Sequence, residues 1–299
     1  MNYSVLVLDL DGTLTDSRKE ITPHTLDVLL EAQRRGLRIV LASGRPVAGI
    51  APLADRLQLA DFGGYVLAYN GGQIIRWADR RPVSQRLLPP EVYPYVYAQA
   101  KSYGFEVISY ATDDAGSDVL VSEAPDNQYV AYESRLNRMA CRQVPHLLDA
   151  IGQPVPKLLV VGDAEPLHAL ELRLAAVLAD GGASGSAGDG GAEPTEVDVL
   201  AHVRGKANVF RSEAFFLEVV PRGVDKAECL AVLLAQLGLD PAQMMACGDG
   251  YNDLTMLRYA GLGVAMANAK PEVRAVADFV TRSNDEDGVA YAVERFILQ

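Results

Sequence analysis

The run Val5-Leu6-Val7-Leu8-Asp9-Leu10-Asp11-Gly12-Thr13-Leu14-Thr15-Asp16 sets a nearly continuous apolar stretch against two aspartates and a glycine. Such a stretch reads as a buried strand of a parallel sheet. Side chains alternate along a strand, which sends Asp9 and Asp11 to one side and Leu10 back to the core. Gly12 turns the chain, so both carboxylates are expected at the carboxyl end of the strand, where open α/β sheets receive ligands. Two like charges roughly 4 Å apart repel by about 4 kcal/mol at an effective dielectric of about 20, so the pair needs a cation or a shared proton. A hard divalent ion with oxygen ligands, Mg²⁺ above all, meets that need. Asp-Gly-Thr alone is also an ordinary turn; the surrounding pattern decides between the readings.

Downstream, Thr22-Pro23 starts a predicted helix with Leu26, Leu29 and Leu30 on one face, and Gly36 ends it. Residues 37–42 form a second predicted strand, stopping at Ser43-Gly44-Arg45-Pro46, and 65–69 form a third, followed by Asn70-Gly71-Gly72 and a short strand over 73–76. This βαβ rhythm predicts a doubly wound parallel sheet. It breaks at Pro89-Pro90, where strands and helices follow in an order that predicts an α+β unit, an antiparallel sheet with helices on one face. Within it, residues 181–194 hold six glycines in fourteen positions, a composition expected of a mobile loop. From Pro221 the rhythm returns: a helix over 225–237 stopped by Gly238, a strand over 243–247, then Gly248-Asp249-Gly250-Tyr251-Asn252-Asp253. The expected fold is α/β, a doubly wound parallel-sheet (Rossmann-like) core over 1–84 and 221–299 with an inserted α+β cap domain over 85–220.

At 299 residues and 49 per cent hydrophobic, the chain can bury a large core or two medium ones. A net charge of −12 and a pI near 4.8 speak against nucleic acid and anionic membrane as partners, which basic faces hold. An anionic substrate must then be caught locally, by a metal and a few cations. Three scattered cysteines, Cys141, Cys229 and Cys247, suit neither a disulfide framework nor a zinc site, and a reducing cytoplasm fits best. The first residues carry no basic segment ahead of an apolar run, and no apolar stretch is long enough to span a bilayer. His24, His146, His168 and His202 show no ligand spacing, and Trp77 and the tyrosines are read as packing residues.

Asp9, Ser43 and Asp249 each follow a predicted strand, so the topology brings all three to one edge of the sheet. Lys226, at the start of the helix after Pro221, can reach the same cleft. This set resembles the motifs of the haloacid dehalogenase superfamily of phosphohydrolases, and the large insertion between the serine and lysine motifs is similar to its Cof-type branch, with a subclass IIB cap. The resemblance implies a phosphoric monoester hydrolase in which Asp9 is the nucleophile, forming an aspartyl-phosphate, and Asp11 the general acid and base. It implies Mg²⁺ held by the Asp9 carboxylate, the Asp11 backbone carbonyl and Asp249, with Asp253 supporting the metal from behind. Ser43, the Gly44 N–H and Asn252 would contact phosphate, and Lys226 would neutralise charge on it and on Asp9. Asn70-Gly71-Gly72 resembles the substrate-side turn of that family; Ala265-Met266-Ala267-Asn268-Ala269 and Asp287-Gly288-Val289-Ala290 resemble its closing stretch.

The implied substrate is a small phosphorylated metabolite, with sugar phosphates foremost, acted on by a monomer or weak homodimer. Two other readings stay open. A phosphomutase of the same superfamily would carry Gly-Gly-Ser-Asp near the second strand, where this chain has Ala42-Ser43-Gly44-Arg45. A non-catalytic phosphosugar-binding module would have no need of the full set Asp9, Asp11, Ser43, Lys226 and Asp249. A P-type ATPase is excluded, because it needs a threonine in place of Asp11 and membrane spans.

Overall fold

The computed structural model describes residues 3–113, 118–151, 153–178, 200 and 202–299. The glycine-rich stretch 181–194, expected to be a loop, lies outside the described residues. The chain divides into two compact units, one made of Met1–Gln85 with Asp225–Gln299, the other of Arg86–Val224.

The first unit opens with β1, Val5–Leu8, every residue of which is fully buried. Helix Pro23–Arg34 follows, its first turn closed by Thr22, whose hydroxyl accepts from the Thr25 N–H at 3.1 Å. β2, Arg38–Ala42, lies parallel to β1, and after helix Val47–Arg56, β3, Tyr65–Ala68, lies parallel to β2. β4, Gln73–Arg76, and β5, Arg81–Gln85, then turn back antiparallel to finish that side of the sheet. β5 is not among the expected strands, and its Pro82 lacks the N–H that a ladder bond needs. The strand survives because it is the sheet edge, with the register shifting beside Pro82.

The second unit runs from helix Val92–Ser102 through β6, Glu106–Thr112, β7, Asp118–Ser122, and helix Gln128–Asn137. β8, Cys141–Gln143, β9, Leu158–Val161, helix Ala164–Leu178, β10, Ala207–Glu213, and β11, Phe216–Pro221, complete it. Its sheet has the order β10-β11-β9-β6-β7-β8. Alternate residues Val107, Val121, Leu158, Val160, Leu217 and Val219 face Leu167, Leu170 and Leu174 of helix Ala164–Leu178 in one apolar core. Two features correct the expected antiparallel sheet with helices on one face. β8, too short to be seen in the pattern, pairs parallel with β7. Tyr110, on the face opposite Val107, donates its hydroxyl to Glu133 at 2.6 Å, which sets helix Gln128–Asn137 against that other face.

Back in the first unit, Asp225 caps helix Lys226–Leu237, accepting from the Glu228 N–H at 3.0 Å, and Gly238 ends it in the left-handed conformation. β12, Met244–Gly248, pairs parallel with β1, aligning Leu8 with Cys247. Helices Leu254–Tyr259, Pro271–Val276 and Gly288–Phe296 alternate with β13, Leu262–Ala265, and the two-residue β14, Phe279–Val280. The eight-stranded order is β14-β13-β12-β1-β2-β3-β4-β5. Successive strands run outward in opposite directions from the β1–β12 pair, the switch point at whose carboxyl edge an open sheet forms its crevice.

Candidate active site

Asp9 and Asp249 follow the ends of β1 and β12, whose parallel ladder sets them side by side; the Asp9 N–H still donates to the Cys247 carbonyl at 3.1 Å. Lys226 begins its helix fully buried and donates to Asp9 Oδ1 and Asp253 Oδ1, each at 2.6 Å. The other oxygen of Asp253 accepts from the Asp249 and Gly250 N–H groups, both at 2.9 Å. Both oxygens of Asp253 are therefore engaged, and the residue is a strut between the lysine and the turn. Asp249 Oδ1 accepts from the Thr13 hydroxyl at 3.0 Å. Among the described residues, Asp9 Oδ2 and Asp249 Oδ2 accept no hydrogen bond, and carboxylate oxygens of Asp9, Asp249 and Asp253 lie within 4.8 Å of one another.

Three carboxylates share one buried ammonium, and the titration behaviour reflects the imbalance. Burial pushes the Asp9 carboxyl well above the usual range; Asp253 and Asp249 add repulsion that Lys226 offsets only in part. Burial, then the charge of Asp253, pushes Asp249 up to about 6. Burial works against the charge of Lys226, yet Asp253 and Asp9 outweigh it and hold the ammonium more firmly protonated than an ordinary lysine. All the donors are oxygens and the excess charge is negative, so the residues fit a hard divalent cation. The Asp9 carboxylate and the unbonded oxygen of Asp249 would hold it, with the Asp11 main-chain carbonyl.

Asp11 stands apart from this cluster. Its carboxylate is gripped by Arg45, Nε to Oδ2 at 2.7 Å and Nη2 to Oδ1 at 2.5 Å, and by Lys19 Nζ at 2.7 Å from Oδ1. Burial alone would raise its pKa, but the hydrogen bonds and charge of Arg45, then Lys19, outweigh it and hold the group below the usual carboxylate range. The sequence reading has this side chain free for proton transfer; here it is an ionised partner in a bidentate pair. Arg45 carries a visible signal, a cation in the loop after β2. Lys19 carries none, because only the fold returns its loop to Asp11.

Ser43 is buried after β2, and its hydroxyl accepts from the Arg45 N–H at 3.2 Å. Its own N–H donates to the Leu67 carbonyl at 2.9 Å, and its carbonyl accepts from Asn70 at 2.8 Å, tying the loops after β2 and β3 together. Asn70, buried with a φ of 56°, accepts from the Asn252 side-chain amide at 3.1 Å. The turn Asn70-Gly71-Gly72 is thereby joined to the Asp249–Asp253 turn. Gly12 has a φ of +79°, and a β-carbon there would sit 2.5 Å from Asp249 Oδ2, so the loop after β1 can approach this carboxylate only as glycine. Asp9, Asp249, Asp253 and Lys226 thus form one bonded cluster; Asp11 and Ser43 meet through Arg45, and Asn252 joins through Asn70.

The family model for haloacid dehalogenase-like hydrolases matches residues 6–293. The chain belongs to that family. It is 31 per cent identical to the putative phosphatase YxeH of Bacillus subtilis, over 99 per cent of each chain. It is 26 per cent identical to YwtE of the same organism, a 5-amino-6-(5-phospho-D-ribitylamino)uracil phosphatase, over 98 per cent of this chain and 97 per cent of that one. Among solved structures, a haloacid dehalogenase-like hydrolase from Bacteroides thetaiotaomicron is 44 per cent identical and superposes with a TM-score of 0.83, covering 98 per cent of this chain and 99 per cent of the other. The expected fold class, a parallel α/β core with an added α+β unit, is the one observed. No helix among the described residues is long and apolar enough to cross a membrane.

Proposed function

We propose that this phosphatase is Mg²⁺-dependent and hydrolyses small phosphorylated metabolites, sugar and polyol phosphates foremost, through an aspartyl-phosphate on Asp9. The observation that carries the reading is Asp9 itself: one carboxylate oxygen is bonded to Lys226, and among the described residues the other accepts no hydrogen bond. In-line attack needs one such oxygen, held by a rigid partner. Asp9 Oδ2 attacks phosphorus while the ester oxygen departs with a proton from Asp11; a water then gives a proton to Asp11 as its oxygen bonds phosphorus, and the bond from phosphorus to Asp9 Oδ2 breaks, releasing inorganic phosphate and the Asp9 carboxylate. A bound Mg²⁺ would supply charge neutralisation on the phosphoryl oxygens. Lys226 keeps Asp9 oriented, and Ser43, Gly44 and Asn252 would receive the remaining oxygens.

Asp11 is ionised while Arg45 and Lys19 hold it, which suits the second step. The first step needs it protonated. A phosphate dianion entering beside Arg45 and Lys19 competes for both cations, loosening their grip on Asp11 and letting it take up a proton. Interactions of this kind, traded between bound states, are how charged sites set proton affinities.

The name of YwtE supports a phosphorylated polyol as one substrate class. A panel of sugar phosphates, polyol phosphates, nucleotides and p-nitrophenyl phosphate, assayed with Mg²⁺ for free phosphate and for isomerised product, tests the proposal. Stoichiometric phosphate release without isomer is expected. Isomer formation primed by a bisphosphate would make the chain a mutase, and tight binding without turnover would make it a sensor; either overturns the reading.

A further inference from the structure

The loop Asp9–Asp16 is held from outside by residues more than two hundred and fifty positions away. Asn268 donates its side-chain amide to the Gly12 carbonyl at 2.8 Å, and its side-chain oxygen accepts from the Asn284 N–H at 3.0 Å. Asn284 in turn donates its side-chain amide to the Thr15 carbonyl at 2.9 Å. The base of this brace is firm: the Met266 N–H donates to the Gly248 carbonyl at 3.1 Å, and the Ala267 N–H to the Arg282 carbonyl at 3.2 Å. Asn268 is nevertheless exposed. A solvent-accessible side-chain hydrogen bond contributes little to global stability, because water competes for both partners. Its consequence is local.

That consequence falls on Gly12, the softest link in the loop. Glycine has the widest backbone freedom, and Gly12 separates the Asp11 carbonyl from Thr13, whose hydroxyl bonds Asp249. Asp249 leaves no room for a β-carbon at Gly12, and Asn268 holds the Gly12 carbonyl. We propose that Asn268, anchored by Asn284, is a positioning residue that sets the Asp11-Gly12-Thr13 backbone in the geometry needed for cation binding and for aim of Asp9. The catalytic part of this inference rests on the phosphatase reading above; the backbone and cation parts do not.

The test uses the full chain, Asn268→Ala and Asn284→Ala, with three readouts. Amide exchange of Thr13, Leu14 and Thr15, whose N–H groups bond back to Leu10 and Asp9, should quicken by about tenfold in Asn268→Ala and by less in Asn284→Ala. The Mg²⁺ dissociation constant, read by thermal shift or calorimetry, should rise by about fivefold or more while Tm in the absence of metal moves by less than about 3 °C. With any substrate the panel identifies, kcat should fall by about tenfold with KM within about threefold. Should Asn268→Ala not fold, Asn268→Asp keeps the size and the acceptor for Asn284 but loses the donor to Gly12, and must show the same faster exchange. Unchanged exchange and unchanged Mg²⁺ affinity overturn the proposal whatever the activity. Faster exchange and weaker Mg²⁺ binding in a chain that hydrolyses no ester uphold it and defeat the phosphatase reading instead.

Discussion

Two lysines of this chain are buried almost completely, one in each unit, and they do different work. In the second unit, Lys157 pairs with Glu218 at 3.1 Å and lies 5.2 Å from the centre of the Tyr110 ring. There a cation meets a carboxylate beside an aromatic face. In the first unit, Lys226 meets two carboxylates at 2.6 Å each, with Asp249 close behind them. Isolated buried charge is costly, so a balanced pair is a stable solution and an unbalanced cluster persists only where something else neutralises it. On the proposed function, the difference separates a buried ion pair that serves the fold from a cluster that would receive a ligand.

The sharpest break in this contrast is Asp9→Asn. Loss of the nucleophile should lower kcat by about a thousandfold or more with the fold intact, because Lys226 retains Asp253. Steady-state kinetics beside a melting curve check this, and turnover within about tenfold of the parent would defeat the assignment.

The two lysines can then be compared directly. Lys157→Met and Lys226→Met each strand buried carboxylate charge, and each should cost about 3–5 kcal/mol in urea unfolding near neutral pH. Only Lys226→Met should also abolish turnover; Lys157→Met should keep kcat within about fivefold, as expected of a pair that supports packing. Equal loss of turnover in both would erase the distinction.

A smaller effect follows from pH. Asp249 titrates at about 6 in the folded chain against 3.8 in the unfolded one, and Asp9 is shifted the same way. A carboxyl raised on folding gives stability that is complete below the unfolded pKa and is lost as pH rises through the folded one. A cation that binds the ionised pair relieves that loss. The rise in Tm on adding Mg²⁺ should therefore be larger at about pH 7.5 than at about pH 5, measured by thermal shift. A rise of equal size at both would remove the carboxylates from the binding site.

The smallest expected change is Thr13→Val, which removes the hydroxyl that bonds Asp249 at 3.0 Å. The loss should be about 1 kcal/mol, read as roughly a threefold to tenfold weaker Mg²⁺ affinity in calorimetry. No change would show that Thr13 merely fills space.

Much of this organisation is legible in the chain itself. Local apolar runs ending in Asp9, Ser43 and Asp249 predict parallel strands and the edge that receives ligands, because strand burial and turn chemistry act over a few residues. Features set by partners distant in sequence are not legible. β5 is masked by Pro82 and exists through its place at a sheet edge, and β8 has three residues and exists only because β7 offers it a ladder. The pairing of Asp11 with Arg45 and Lys19, the bonding of Asp253 to Lys226 and the grip of Asn268 on Gly12 depend on hydrogen bonds that close only when loops from separate strands meet. The sequence by itself determines which residues carry charge and where strands begin and end, since propensity and burial are local properties. Which carboxylate is neutralised and which keeps a free oxygen is decided by tertiary structure alone, because electrostatic balance is a property of distances across the fold.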